Sequence, residues 1–447
     1  MRVSRRLLAP VSAHTTFSSC RTRMRTVTGM TEDSQAADGV LPFLRFGPPP
    51  NRLTHQGWQQ WRAVRDTFVP APKVTLDEYR AMSPRKRALH DIHRAATHVN
   101  LRMQETPMSA RVTSLMRTRI QNNALKFEPG TLDGLMINGG GYQGKTATAC
   151  ETAAAFEDFW RDLHHQLNPN ALAGTRHLYA PVAYCQTPVK ATPMGLCEAI
   201  LDFYGKNLRG RVRNLRDSLH AHCTTVLLLD DITRLKMHRE DDQDTLDLIR
   251  DLMSLNVTLV LIGVNIPGSG LLREGRHDPR TGQIVFPPAK RGKSHNDEAA
   301  TQTERRFDLI NLDPFSYDTP SDIAAWVDHL AGVQDQLRLF DAPEGMLSRG
   351  SMPEYLFNRT HGIVGLLKRL IEDGCTRAME TGREALTTDL LEEITINLGN
   401  VPGRDGAAGE IPDIPTETTN GKRRTGPRRK GRDTVFDDRG QRPAADA

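Results

Sequence analysis

The feature that most constrains this chain is the run Gly139-Gly140-Gly141-Tyr142-Gln143-Gly144-Lys145-Thr146. It fits the pattern G-x-x-x-x-G-K-[ST] in full. An apolar triplet, Leu135-Met136-Ile137, leads into it, and a helical pattern runs on from Lys145 to Leu167. A strand, a glycine loop and a helix in that order make a phosphate cradle. Glycines let backbone N–H groups converge, and the helix N-terminus adds positive potential. Lys145 is expected to reach the outer phosphates of a nucleotide and the Thr146 hydroxyl to ligate Mg²⁺. The expected ligands are therefore ATP and Mg²⁺, bound by residues 139–146.

A chain with such a loop also needs an acid for the cation. Val226-Leu227-Leu228-Leu229-Asp230-Asp231 supplies it about 85 residues later, as a buried strand ending in two carboxylates. Asp230 is the candidate Mg²⁺ ligand beside Thr146. Asp231 stands where a base can orient or deprotonate water. Asn265 ends another apolar run, Thr258–Val264, and can place that water. Arg305-Arg306 precedes the last strand candidate, Phe307–Leu312. An arginine there can face a neighbouring subunit's γ-phosphate, with Arg306 preferred over Arg305.

The remaining strand candidate is Leu178–Tyr184, and helical patterns such as Ala147–Leu167 and Thr245–Leu255 lie between the strands. Such alternation predicts an α/β fold, a parallel sheet flanked by helices. Ahead of it, residues 51–128 read as a helical prefix. Trp58, Trp61, Val64 and Phe68 fall near helical spacing, Thr75 and Glu78 form a capping box, and Ser83-Pro84 opens a further helix. Another helix is expected from Ser109 to Ala124. After Pro320 the strands stop. Helices near 321–339, 352–358, 363–380 and 388–398 predict a small helical lid over 319–400, following an α/β domain over 129–318.

The ends differ from the body. Residues 1–30 hold six arginines and no acid, and 421–432 hold seven Lys/Arg and no acid. Residues 433–447 hold two arginines and four aspartates, so the +5 of the whole chain leaves 31–420 at −6. The basic character belongs to the termini, and bulk charge gives no argument that the body binds nucleic acid. Residues 1–50 and 401–447 are expected to be disordered, with Met30 a plausible alternative start. The tail Lys422–Arg432 suits either phosphate-backbone contact or solubility. The charged stretch Arg273–Lys293 reads as a disordered insertion. No apolar run approaches the ~18 residues of a membrane span. Six scattered cysteines without CxxC read as reduced thiols in a cytoplasmic protein. His164, His165, His220, His222 and His361 lack metal-ligand spacing, and solvated or capping roles are expected for them.

Taken in order, the loop, the Asp-Asp strand, the polar strand end, Arg305-Arg306-Phe307 and the helical lid resemble an AAA+ ATPase. More narrowly, the sequence resembles the TniB/TnsC-like family of transposition proteins. That match rests on Ser83-Pro84-Arg85-Lys86-Arg87-Ala88-Leu89-His90 with Glu105-Thr106-Pro107, on Gly263-Val264-Asn265 with Arg305-Arg306-Phe307-Asp308-Leu309, and on Thr360-His361-Gly362-Ile363-Val364-Gly365-Leu366-Leu367-Lys368-Arg369-Leu370. It covers about residues 55–400. The resemblance implies ATP hydrolysis and assembly as a homo-oligomeric ring or filament on double-stranded DNA. It also implies recruitment of a DDE transposase and a target-site adaptor (TniA- and TniQ-like). Two departures stand out. The acidic strand ends Asp-Asp rather than Asp-Glu, which implies slower water activation. Gly365 stands where many relatives carry a lid arginine, with Lys368 or Arg369 a turn later. A replication initiator or helicase loader would share every ATP-site residue, but only about fifty low-complexity residues follow Leu398, too few for a separate DNA-reading domain. A STAND-type switch would carry long repeats, and none is visible.

Overall fold

The computed structural model describes residues 43–44, 47–102, 104–168, 179–189, 192–205, 212–234, 240–269, 276–277, 284–285 and 305–398. The expected disordered termini fall almost wholly outside these residues, as does most of the 273–300 insertion. Within that insertion, β5 (Arg276–His277) and β6 (Ile284–Val285) form a short antiparallel pair.

Five strands form one parallel sheet: β1 (Gly134–Asn138), β2 (Val182–Gln186), β3 (Val226–Asp230), β4 (Thr258–Gly263) and β7 (Phe307–Asn311). Their spatial order is β2-β3-β4-β1-β7. The α/β class read from the sequence is the one observed. β3 and β4 are buried along their whole length, which is why they read as unbroken apolar runs rather than alternating ones. β2 begins later than the hydropathy suggests. Pro181 has no N–H to give the ladder and stands just before the first paired residue.

The sheet is covered by α4 (Pro107–Ala124), α5 (Lys145–Leu167), α6 (Pro193–Phe203), α7 (Val212–Ala221) and α8 (Glu240–Met253). The prefix divides between two cores. Trp58 of α1 (His55–Val64) and Val112, Met116 and Ile120 of α4 lie in the core of the sheet. Between them come α2 (Leu76–Ala81) and α3 (Pro84–Val99), with the expected Thr75–Glu78 capping box and the Ser83 cap present. Leu101, just after α3, joins a second core built by α9 (Pro320–Asp335), α10 (Met352–Thr360), α11 (Val364–Thr381) and α12 (Thr388–Glu392). α12 is shorter than the pattern predicts. Arg359 Nη2 donates to the Ile394 carbonyl at 2.7 Å, and the β-branched Thr395 and Ile396 follow.

α3 is tied to this second core by buried polar groups. The Arg94 guanidinium, 3% exposed, donates to Glu384 Oε2 at 2.8 Å and Oε1 at 3.1 Å, and lies 4.1 Å from the Phe340 ring centroid. Removing one partner of such a pair leaves an uncompensated buried charge. Arg94→Ala is therefore expected to destabilise the protein by about 3–5 kcal/mol, and Arg94→Met with Glu384→Gln by clearly less. Denaturant unfolding of the two variants beside the wild type checks this, and equal losses would contradict it.

His98 works at the same junction. Its Nε2 accepts the Arg338 backbone N–H at 2.9 Å, and burial, with help from Arg94 and Arg338, lowers its pKa to about 4. Burial alone lowers His329 to about 4 as well. Both are held neutral in the folded state, so the stability they allow is complete above about pH 6.5. It is lost as the pH falls through 4, at about 2–3 kcal/mol each. Stability is expected to start falling near pH 6.5, above the carboxylate range. A profile flat from pH 7 to 5 would contradict this.

Candidate functional site

The carboxyl ends of all five strands lie along one edge of the sheet, where open α/β sheets bind their ligands. Between β1 and α5 runs the loop 139–144. Gly144 has φ +84°, a left-handed conformation that glycine adopts without strain. α5, 23 residues long, then begins with no side-chain cap, leaving its first N–H groups directed at the loop. Lys145 is 9% exposed, and its Nζ donates to the Gly140 carbonyl. Burial lowers the Lys145 pKa, while Asp230 and Asp231 raise it. A cation held in a loop of this kind is under-solvated and short of negative charge.

The two acids are placed by different contacts. Thr146 Oγ1 donates to Asp230 Oδ2 at 2.8 Å, joining the loop's helix to β3. Tyr184 Oη of β2 donates to the same oxygen at 2.8 Å, and the Asp231 backbone N–H donates to Oδ1 at 2.9 Å. Asp231 has φ +53°. Aspartate enters that left-handed region several-fold more readily than most side chains, which gives a physical reason for Asp-Asp at this strand end. The Asp231 carboxylate Oδ2 accepts from Gln186 Nε2 at 2.8 Å and pairs with Arg234 Nη2 at 2.8 Å. Arg234 is itself fixed through Nη1 to the Thr187 carbonyl at 2.9 Å.

These residues fit a magnesium nucleotide. A hydroxyl and a carboxylate, both hard oxygen donors, converge beside the lysine. Among the described residues no group of three or more His, Cys, Asp or Glu could hold a metal ion.

Thus Lys145, Thr146, Asp230 and Asp231 come together. Asn265 lies on the same edge, because β4 separates β1 from β3. Its side chain, however, folds over its own turn: a Cβ built at Gly268 would lie 2.5 Å from Asn265 Nδ2, and the residue is exposed. The amide that binds inward is Asn138, whose Oδ1 accepts the Ile266 N–H at 2.9 Å and whose Nδ2 donates to Asn311 Oδ1 at 2.9 Å. Arg306 lies at the far edge, its carbonyl accepting the Gly134 N–H at 2.8 Å at the start of β1. Arg305 beside it is exposed.

Sequence reasoning missed Tyr184, Gln186, Arg234 and Asn138. The available signals were a phenol and an amide in the apolar run of β2 and an asparagine just ahead of the glycines. Gly365 has a structural reason. Its N–H donates to the Tyr142 carbonyl at 2.8 Å, and a Cβ there would lie 2.5 Å from that oxygen. The helical segment therefore meets the loop 139–144 at Tyr142, at its carbonyl and beside its side chain. Lys368 and Arg369 pair with Glu372 and Asp373 on their own helix. His361 caps α10 at φ +51°, as expected, but His222 is buried and stacked on Tyr204 at 4.5 Å rather than solvated.

No protein-family model and no curated protein matches the sequence. Among solved structures, the chain is similar to the Aeropyrum pernix ORC1 protein in complex with DNA, with a TM-score of 0.45 and 14% identity over 66% of this chain and 68% of that one. It is also similar to the Thermotoga maritima RuvB Holliday junction branch migration motor, with a TM-score of 0.34 and 14% identity over 72% and 71%. AMPPCP-bound DnaA from Aquifex aeolicus gives a TM-score of 0.34 and 16% identity over 63% and 68%.

Proposed function

We propose that this chain is an AAA+ ATPase that assembles in several copies on double-stranded DNA and regulates transposition, recruiting a DDE transposase and a target-site adaptor. The observation that carries the nucleotide part is the contact between Thr146 and Asp230 beside the buried Lys145. In this reading Lys145 and the N–H groups of residues 139–146 bind the phosphates of ATP, and Thr146 and Asp230 hold Mg²⁺. The bound cation would neutralise charge on the phosphate oxygens. Asp231 leaves Gln186 and Arg234 to accept a proton from the attacking water, Asn265 turns inward to orient that water, and the products are ADP and phosphate. Arg306 serves a neighbour's nucleotide.

The DNA part draws on the sequence resemblance and on one local feature. Arg85 and Lys86 are exposed in the first turn of α3, which contains no acid. Cations there oppose the helix dipole, so helix stability does not explain them. Phosphate contact does.

Asp231→Asn tests the hydrolytic assignment. It removes the base but keeps an oxygen for Gln186 and Arg234. Nucleotide affinity is expected to stay within a few-fold, while turnover falls about 10²–10⁴-fold. Wild-type turnover in this variant would remove Asp231 from the reaction.

A further inference from the structure

Tyr184 is not an ordinary core tyrosine. Its hydroxyl shares Asp230 Oδ2 with Thr146, each at 2.8 Å. Its ring stacks on Trp58 of α1, with centroids 6.2 Å apart and planes 16° from parallel. The Arg52 guanidinium stands 5.4 Å from the Tyr184 centroid and 5.2 Å from that of Trp61. Trp58 is fully buried and anchored, its Nε1 donating to Glu157 Oε2 at 2.6 Å. An unbroken line of contacts therefore runs from the segment before α1, through Tyr184, to the acid at the end of β3.

We propose that Tyr184 is a positioning residue for the divalent cation, and that Arg52 and Trp58 set its hold on Asp230, so that the prefix tunes the cation affinity of the nucleotide site. The inference rests on the Mg-nucleotide reading given above. Its chemistry is simple. A cation would take a lone pair of the Thr146 oxygen while the Thr146 and Tyr184 O–H groups both still donate to Asp230 Oδ2, and of the two donors only the Tyr184 phenol would stay free of the cation. A carboxylate held on one oxygen by a fixed donor presents its remaining lone pairs in one direction. A guanidinium over the ring draws electron density from the phenol and makes its O–H a stronger donor. A tyrosine that merely satisfies its own hydroxyl in the core would affect stability, with no effect specific to a metal.

The test is binding of a fluorescent ATP analogue to the full-length protein, titrated with Mg²⁺ from an EDTA-treated start. Tyr184→Phe keeps the ring and its stacking and deletes only the donor. Nucleotide affinity without Mg²⁺ is expected to stay within about twofold, and the Mg²⁺ concentration at half-saturation to rise about tenfold. Arg52→Gln is expected to move that midpoint about threefold in the same direction, and Arg52→Lys to restore it. An unchanged Mg²⁺ midpoint in Tyr184→Phe overturns the proposal. So does an equal loss of affinity with and without Mg²⁺, which marks a structural role. A wild-type protein that binds no nucleotide at all overturns the reading beneath it, and that outcome differs from both.

Discussion

Lys145→Ala should lose ATP affinity by about 10²–10³-fold and show no measurable turnover, while its thermal stability stays level or rises. The first half follows from charge. Lys145 is the cation of the loop, and the other donors there are backbone N–H groups, which orient phosphates but carry only partial charge. The second half follows from burial. The side chain is 9% exposed and burial lowers its pKa, so the folded protein holds this charge against solvation. Alanine removes that load. A variant that lost binding by unfolding would show a lowered melting temperature instead. Calorimetric titration beside thermal melting separates the two, and wild-type affinity in Lys145→Ala would contradict the site.

Arg306→Ala should bind ATP normally and lose about 10³-fold or more in turnover, the size of effect an arginine supplied in trans produces. Distance rules out action in cis. Arg306 is bonded to Gly134 at the start of β1, and the phosphate loop begins at Gly139 beyond its other end. Five residues of strand at ~3.3 Å each put ~17 Å between them. An arginine side chain does not span that, so an Arg306 that acts on nucleotide, as proposed, would have to act on another copy's. Mixing Arg306→Ala with Lys145→Ala gives a sharp check. The first keeps an intact nucleotide site and the second an intact arginine, so two inactive proteins should recover activity together. No recovery at any ratio, with mixed assembly demonstrated, would contradict the assignment.

The strand, glycine loop and helix around Gly144, and the strand ending in Asp230, were legible because their residues stand at particular spacing. The buried strands β3 and β4 were legible because burial on both faces leaves unbroken apolar runs. What the sequence hid was contact across the sheet. Tyr184 and Gln186 sit on β2, more than forty residues from the acids they touch, and only the β2–β3 register brings Gln186 level with Asp230. The orientation of Asn265 depends on a left-handed backbone at φ +53°, which no hydropathy pattern reports. The prefix read as several helices without a sign of which core each one joins. That α1 and α4 enter one core while the stretch around α3 joins another is decided by long-range pairs such as Arg94 with Glu384.

In the proposed function, nucleotide drives this protein onto DNA as an assembly. The most direct test is sedimentation of the full-length protein with long double-stranded DNA, with and without Mg-ATP, beside Lys145→Ala. Co-sedimentation of many copies that requires both ATP and Lys145 is expected. A protein that stays monomeric and unbound in every condition would contradict it.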